Sequence, residues 1–211
     1  MELLDAAEVR VLGALLEKEA TTPEYYPLSL NALINACNQK SNRDPVVEYD
    51  EDIVSHAIER LRHKQCAFIL TGSGRVVKYS QRISETLNLG RREMAVLCTL
   101  LLRGPQTLGE IKDRSERMFA FADLSEAETV LEKLTDWPGG GLAKKLPRQP
   151  GHKEARYAHL LAGEPATEAA QELTAAPAPS RVTQLESELQ QLRSDFNELK
   201  GRFEALEAQL R

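Results

Sequence analysis

The sequence is poor in several features that define large classes of protein. Only 5% of its 211 residues are aromatic, and its three cysteines are scattered at positions 37, 66 and 98. So few and scattered cysteines do not make a disulfide framework, and we expect a reducing, cytoplasmic location. The longest nearly apolar run, Ala95 to Leu102, is far shorter than the ~20 residues that a membrane span needs. The segment after Met1 has neither the basic nor the apolar region of a secretory signal, so no such signal is expected.

Motifs that mark common enzymes and cofactor sites are also missing. The sequence contains no Walker loop, G-x-G-x-x-G, G-x-S-x-G or H-E-x-x-H. Gly139-Gly140-Gly141 follows a predicted helix rather than a strand, so we interpret it as a turn. His56 and His63 lie seven residues apart, shortly before Cys66, but no C-x-x-C pair or fourth ligand accompanies them. We therefore expect no enzymatic activity, no cofactor and no metal.

Positive charge is not in excess over the sequence as a whole. The 27 Lys and Arg residues against 32 Asp and Glu residues give a net charge of -5. Residues 1–83 carry 10 basic and 12 acidic side chains, residues 84–163 carry 12 and 11, and residues 164–211 carry 5 and 9. A nucleic-acid-binding domain usually has a strongly basic face, whereas here only the middle segment is even slightly positive.

An internal repeat is the most informative feature that the sequence does have. Residues 8–18 and 93–103 align without a gap at an offset of 85 residues, and most apolar positions meet apolar ones. Further matches follow in the same order in both halves: 30–33 with 108–111, 58–61 with 131–134, and 78–79 with 156–157. The series predicts two copies of one module of about 80 residues, a plausible size for a small domain.

Each copy shows the same order of predicted elements. Capping boxes, in which an N-cap acceptor is followed three residues later by Glu, are predicted at Asp5–Glu8, Thr107–Glu110 and Ser125–Glu128. Three amphipathic helices precede two short strands in each copy. The predicted strands are 66–71 and 75–80 in the first copy and 142–146 and 156–160 in the second. Three helices followed by a hairpin is the order of a winged helix-turn-helix.

We therefore predict an α+β, mostly helical protein with two tandem winged helix-turn-helix domains and a C-terminal coiled-coil helix. The predicted segments are winged-helix domain 1 at residues 1–83, winged-helix domain 2 at 84–161, an Ala/Pro linker at 162–180 and the coiled-coil helix at 181–211. The linker holds seven Ala and three Pro without an apolar period.

The C-terminal segment carries an unbroken heptad pattern. From Val182 to Leu210 the apolar residues are separated alternately by three and four residues, which is the seam of a left-handed coiled coil. Opposite charges at facing e and g positions favour a parallel homodimer. A trimer, or a single helix folded back on its own chain, remains an alternative. The predicted dimerisation residues are Leu185, Leu189, Leu192, Phe196, Leu199, Phe203 and Leu206.

Several runs of residues resemble one bacterial family. They are Leu16-Glu17-Lys18, Thr21-Thr22-Pro23-Glu24, Tyr26-Pro27-Leu28-Ser29, Ala36 to Val46, Leu101-Leu102-Arg103-Gly104 and Gln106-Thr107. The pattern resembles the YceH-like proteins over nearly all of residues 5–161. That resemblance implies a tandem winged helix and a C-terminal heptad helix. It implies no catalytic residue, because the family itself has no assigned function.

The third helix of each copy is poorly suited to reading DNA bases. In a helix-turn-helix, the N-terminal residues of this helix meet base edges in the major groove. Here those residues, 49–53 and 124–128, include carboxylates, which would face phosphates and cannot make Arg–guanine or Asn–adenine pairs. The same acids are sufficiently explained by their favourable interaction with the helix dipole.

Cations and amides that could hold phosphates lie instead in one loop and in the two hairpins. The candidate nucleic-acid-binding residues are Lys40, Asn42 and Arg43 in the loop, Arg75 and Lys78 in the first hairpin, and Lys144, Lys145, Arg148, Lys153 and Arg156 in the second. Protection of a strand edge by charge explains the hairpins equally well, and turn chemistry explains the loop.

The sequence thus predicts a DNA-associated regulator that contacts phosphates through basic hairpins. The alternative is a protein–protein docking scaffold that uses the acidic third helices. The expected partners are a second copy of the chain and either DNA or another protein, without a membrane.

Overall fold

The computed structural model describes residues 2–70, 76–148 and 154–165. Its helices are α1 (Ala6–Thr21), α2 (Leu30–Cys37), α3 (Glu51–His63), α4 (Ile83–Thr86), α5 (Arg91–Arg103), α6 (Leu108–Ser115) and α7 (Leu124–Thr135), with a 3-10 turn at Pro23–Tyr25. Its strands are β1 (Ala67–Leu70), β2 (Lys78–Gln81), β3 (Gln106–Thr107), β4 (Ala143–Lys145) and β5 (Arg156–His159). The described chain is thus α+β and mostly helical.

Some of the sequence predictions concern residues outside these ranges. They are the heptad residues from Leu185 to Leu206, the linker from residue 166 onward, and the candidate site residues Arg75 and Lys153. These remain predictions.

Helix starts follow the capping pattern in two of the three predicted places. Asp5 accepts a hydrogen bond from the Glu8 backbone N–H at 2.9 Å, and the Glu8 carboxylate accepts one from the Asp5 N–H at 2.6 Å. Thr107 and Glu110 form the same box at the start of α6, so both predictions are confirmed. The box predicted at Ser125 is wrong.

The prediction placed the N-cap of α7 at Ser125, but the helix already begins at Leu124. Asp123 is the N-cap, and its carboxylate accepts from the Glu126 N–H at 2.8 Å. A carboxylate that lies just before the helix competes well for the free N–H groups of the first turn. Ser125 consequently lies inside that turn, where its hydroxyl does not cap the helix.

Both halves have the same strand pairing. β1 and β2 pair antiparallel with Ala67 opposite Gln81, and Leu28, which precedes the N-cap of α2, pairs with Tyr79 of β2. In the second half the strand order is β3-β5-β4, and Gln106, which precedes the N-cap of α6, pairs with Tyr157 of β5. The two tyrosines are equivalent in the sequence repeat, so each half places the same position at the same point of its sheet.

An ion pair is also repeated between the first and third helices of each half. Glu8 lies 3.4 Å from Arg60, and Glu93 lies 2.6 Å from Lys133. Glu8 also pairs with Lys64, at 2.8 Å. Both glutamates are buried, with 1% and 6% of their surface exposed, and both begin the aligned segments of the repeat. The two halves therefore fix their third helices onto their first helices in the same way.

Helices α1 and α5, the first helices of the two halves, cross each other closely. The crossing lies at Gly13, where a Cβ atom would lie 2.7 Å from Leu102 Cδ2. Cys98, the equivalent of Gly13 in the repeat, donates from Sγ to the Gly13 carbonyl at 3.4 Å. Buried side chains of both halves join across this crossing into one core. The proposed division after residue 83 thus separates repeat copies that share a core.

Candidate nucleic-acid interface

The second hairpin carries exposed cations on an edge strand. β4 lies at the edge of its sheet, and its residues Lys144 and Lys145 are both exposed. Lys144 Nζ lies 2.6 Å from the carboxylate of Glu164, which is also exposed, and Lys145 Nζ lies 5.4 Å from the centre of the Tyr157 ring. Exposed contacts of this kind are weak and exchange readily for other partners. Both lysines are therefore available to an anion in solution.

Two more candidate residues lie near this hairpin. Arg148 is exposed, and no ion pair or hydrogen bond holds its side chain within the described residues. Arg156 is half-buried and pairs across the sheet with Thr107, the N-cap of α6. One cation of this hairpin, Arg156, thus lies beside the start of α6.

The first hairpin differs in character, because its described surface is apolar. Leu70, Val76 and Val77 are 40%, 59% and 40% exposed. Lys78, the candidate cation here, is half-buried opposite Leu70. In the described parts of the two hairpins, the exposed cations therefore lie on the second one.

Arg43 has a structural role instead of the expected phosphate contact. Its side chain is fully buried, and its Nη1 and Nη2 atoms donate to Glu17 Oε1 and Oε2 at 3.1 and 2.7 Å. It also donates to the Ala36 carbonyl at 2.8 Å. Burial alone would raise the pKa of the Glu17 carboxyl, but the hydrogen bonds and charge of Arg43 hold it below its usual range. The prediction for Arg43 is corrected because internal acceptors occupy its guanidinium.

The rest of the loop joins the two halves. Asn42, at φ 59°, accepts a hydrogen bond from Arg103 at the end of α5. The Asp44 N–H donates to the Leu102 carbonyl at 2.9 Å. Of the three candidates in this loop, Lys40 alone is exposed. This loop, which follows α2 in the first half, therefore contacts α5 of the second half. Lys40 is its single exposed cation.

The first turns of the third helices are acidic and exposed, as their sequence predicts. Asp50 caps α3 by accepting from the Ile53 N–H at 2.9 Å, and Glu51 and Asp52 are exposed beside it. At the start of α7, the cap Asp123 is exposed as well. The one cation that pairs with an acid of these first turns in the described chain is Arg92 of α5, which is exposed and lies 3.1 Å from Glu126.

A cluster of three arginines, which also has three carboxylates in its pocket lining, was not predicted from the sequence. Arg103, Arg114 and Arg117 line a pocket of about 300 Å³ between α1, α5 and α6. Burial, followed by the positive charges of Arg114 and Arg43, holds the pKa of Arg103 below its usual range. The three-residue spacing of Arg114 and Arg117 predicts that they share one face of a helix. No local pattern in the sequence predicts that Arg103 of α5 lines the same pocket.

The cysteines do not form a reactive or metal-binding site in the described chain. Cys37, Cys66 and Cys98 are buried. Burial raises the pKa of the Cys37 thiol to about 12, so this thiol is protonated at neutral pH and is a poor nucleophile. Among the residues that the structure describes, no group of three or more His, Cys, Asp and Glu side chains could hold a metal ion.

None of the described helices is both long enough and apolar enough to span a membrane.

Comparison with known proteins identifies the family of this chain. A profile of the family described as "Protein of unknown function, DUF480" matches residues 4–152. A UPF0502 protein of Solibacter usitatus is 60% identical over 161 residues, which cover 76% of this chain and 77% of that protein. A UPF0502 protein of Citrifermentans bemidjiense is 52% identical over 190 residues, or 88% of each chain. A third, of Opitutus terrae, is 48% identical over 190 residues, or 90% of this chain and 83% of that protein.

These matches cover most of the chain at high identity and confirm the resemblance noted in the sequence. The chain belongs to the DUF480 family.

Proposed function

We propose that this protein is a non-enzymatic tandem winged-helix protein that associates with DNA by binding backbone phosphates on its second half. Support for the winged-helix assignment comes from the topology. In each half, a residue just before the second helix pairs with the return strand of a hairpin that follows the third helix. That connection order is typical of winged helix-turn-helix domains. The repeated Glu8–Arg60 and Glu93–Lys133 pairs support a duplication.

The observation that carries the DNA proposal is the set of exposed cations on the second hairpin. Lys144, Lys145 and Arg148 extend from an edge strand, with Glu164 as the only carboxylate that pairs with any of them in the described chain. Phosphate contacts from such side chains position a protein on a duplex without reading its sequence. The acidic first turns of α3 and α7 disfavour insertion of either helix into the major groove, so weak sequence preference is expected.

The test is the binding of a fluorescent random-sequence duplex, followed by anisotropy from about 50 to about 200 mM salt. The variant Lys145→Gln/Arg148→Gln should bind at least about tenfold more weakly, and its log–log salt slope should be shallower by about two. Arg62→Gln/Arg82→Gln removes the same charge from the first half, where Arg62 pairs with Glu59 and Arg82 with Glu85, and should bind as the wild type does. Salt-independent binding, or equal losses in both variants, would contradict the proposal.

A docking role for the third helices is the second candidate. Apolar side chains are exposed beside the acids at the start of both helices: Ile53 is 38% exposed and Leu124 is 50% exposed. A basic amphipathic segment of another protein would complement such a surface. The charge reversal Glu51→Lys/Asp52→Lys should then abolish recovery of a partner that Lys145→Gln/Arg148→Gln still recovers. Unchanged recovery after the reversal removes this surface as a candidate.

A further inference from the structure

The second helices of the two halves differ sharply in charge. Helix α2 (Leu30–Cys37) contains no charged residue, whereas its repeat equivalent α6 (Leu108–Ser115) contains four, and Glu116 and Arg117 follow directly. Glu110 caps α6 and pairs with Arg114, so these two charges have a structural role. The other charged residues form no ion pair in the described chain, and the uncharged α2 shows that the fold does not require them: Lys112, Asp113, Glu116 and Arg117.

Arg114 of α6 and Arg117, which follows that helix, line a pocket together with a third arginine from the end of α5. Arg103, Arg114 and Arg117 line one pocket of about 300 Å³, together with the polar side chains of Thr21 and Asn42. Arg103 donates to Asn42, and Arg117 has neither an ion pair nor a hydrogen bond within the described residues. Neither of these two guanidinium groups forms an ion pair with a described carboxylate, although each can donate several hydrogen bonds.

Carboxylates of the same region are in part already engaged. Glu17 pairs with the buried Arg43, and Glu110 pairs with Arg114 at 3.1 Å while it caps α6 through Thr107. Asp113 and Glu116 also line the pocket, and neither forms an ion pair in the described chain. Their negative charges repel an anion in the pocket, so neutralising them should strengthen anion binding.

This cluster is continuous with the second hairpin. Arg156 pairs across the sheet with Thr107, whose backbone N–H donates to Glu110 at 2.9 Å, and Glu110 pairs with Arg114 at 3.1 Å. Arg156 belongs to β5, the central strand of the sheet that presents Lys144 and Lys145. Positive side chains therefore run from the pocket past the start of α6 to the hairpin.

We infer that Arg103, Arg114 and Arg117 bind a phosphate group, and that on DNA this group belongs to the backbone held by the second hairpin. A planar guanidinium group can donate a pair of charge-assisted hydrogen bonds to phosphate oxygens, and three such groups line this pocket. The DNA source of the phosphate rests on the function proposed above. A free phosphate compound offers the same chemistry, and the experiment distinguishes the two sources.

The first part of the experiment measures binding of the random-sequence duplex to Arg114→Gln/Arg117→Gln in the full chain. We expect binding to weaken by about tenfold or more and the salt slope to become shallower by about two. Arg62→Gln/Arg82→Gln, which removes two charges elsewhere, should leave both unchanged. Asp113→Asn/Glu116→Gln should bind more tightly than the wild type, a gain that damage to the fold cannot produce.

The second part titrates the wild type and Arg114→Gln/Arg117→Gln with pyrophosphate in a calorimeter. Pyrophosphate binding by the wild type that the variant loses, without any duplex binding, would support the phosphate site and overturn the DNA function. Weaker duplex binding in Lys145→Gln/Arg148→Gln but wild-type binding in Arg114→Gln/Arg117→Gln would overturn the pocket and leave the DNA function standing. Binding of neither probe would overturn both.

Discussion

The ion pair between Arg43 and Glu17 is the most deeply buried charge interaction in the described chain. The Arg43 side chain is 0% exposed and that of Glu17 is 9% exposed. The desolvation of two such charges is offset by a two-point contact between them and by the carbonyl of Ala36. Loss of Arg43 would leave the Glu17 carboxylate in this site with Lys18, at 3.4 Å, as its remaining ion-pair partner.

We therefore predict that Arg43→Met destabilises the protein by about 3 kcal/mol, because the Glu17 carboxylate stays in a buried site. Denaturant unfolding at neutral pH measures the change. The matched control is Arg62→Met, which breaks the exposed Arg62–Glu59 pair and should cost less than about 1 kcal/mol. Equal stability of the Arg43 and Arg62 variants would show that the buried pair contributes nothing.

His159 gives a second prediction at this scale. Burial lowers the pKa of its imidazole from 6.5 to about 4, and its Nδ1 atom has no hydrogen-bond partner within the described residues. The unfolded chain binds a proton near pH 6.5 while the folded chain does not. Stability should therefore be complete above pH 6.5 and fall as the pH decreases toward 4, by about 2 kcal/mol between pH 7 and pH 5.

Urea unfolding at a series of pH values tests this dependence. His159→Phe, which cannot take up a proton, should remove most of the slope between pH 5 and 6.5. A variant with the same slope as the wild type would assign that slope to other groups.

Some residues of the proposed phosphate-binding surface could be predicted from the sequence. Exposed cations at Lys144, Lys145 and Arg148 follow from their place in a predicted hairpin. The burial of Arg43 could not be predicted, since its partner Glu17 lies 26 residues away and only the tertiary fold brings the two together. For the same reason, the sequence did not predict that Arg103 of α5 and Arg114 of α6 line one pocket.

At the scale of elements, the crossing of α1 and α5 holds the two halves together. Gly13 permits the close approach, since Leu102 and Leu101 occupy the space that a side chain would need. Leu102 is buried, 3% exposed, so it has little room to move away. The loss of stability caused by a side chain at position 13 therefore measures how closely the two halves pack.

Gly13→Val should destabilise the protein by about 2 kcal/mol, because it overpacks the crossing. Gly109→Val is the matched control: position 109 is also helical, but a Cβ there meets nothing within 4 Å. Since Val has a higher helix propensity than Gly, the control should be neutral or slightly stabilising. Thermal or denaturant unfolding of both variants measures the difference, and similar values for the two would contradict the close packing.

Most elements of both halves could be predicted from the sequence, because amphipathic periodicity and capping residues are local signals. Strand β3 and the pairing of Leu28 were not predicted. A strand of one or two residues has no alternation to detect, and only its partner on the hairpin defines it.

At the scale of the whole molecule, the heptad segment predicts self-association. A charged side chain in an a/d seam would be desolvated in the associated state, so Leu192→Asp/Leu199→Asp should yield monomers. Sedimentation velocity of the full chain measures this, with the wild type expected as a parallel dimer. The same mass for both proteins would refute pairing through the heptads. A dimer would present the second hairpin and α6 twice, which would raise both the affinity for a duplex and its salt dependence.

The surface that faces nucleic acid can be located directly by hydrogen exchange with mass spectrometry, on the full chain with and without a random-sequence duplex at low salt. We predict slower exchange on duplex binding in residues 103–117 and 142–160, the α6 cluster and the second hairpin, with residues 50–56 and 123–129 unchanged. Slower exchange confined to those first turns of the third helices, or no change anywhere, would contradict the central claim that the basic second half holds the phosphates.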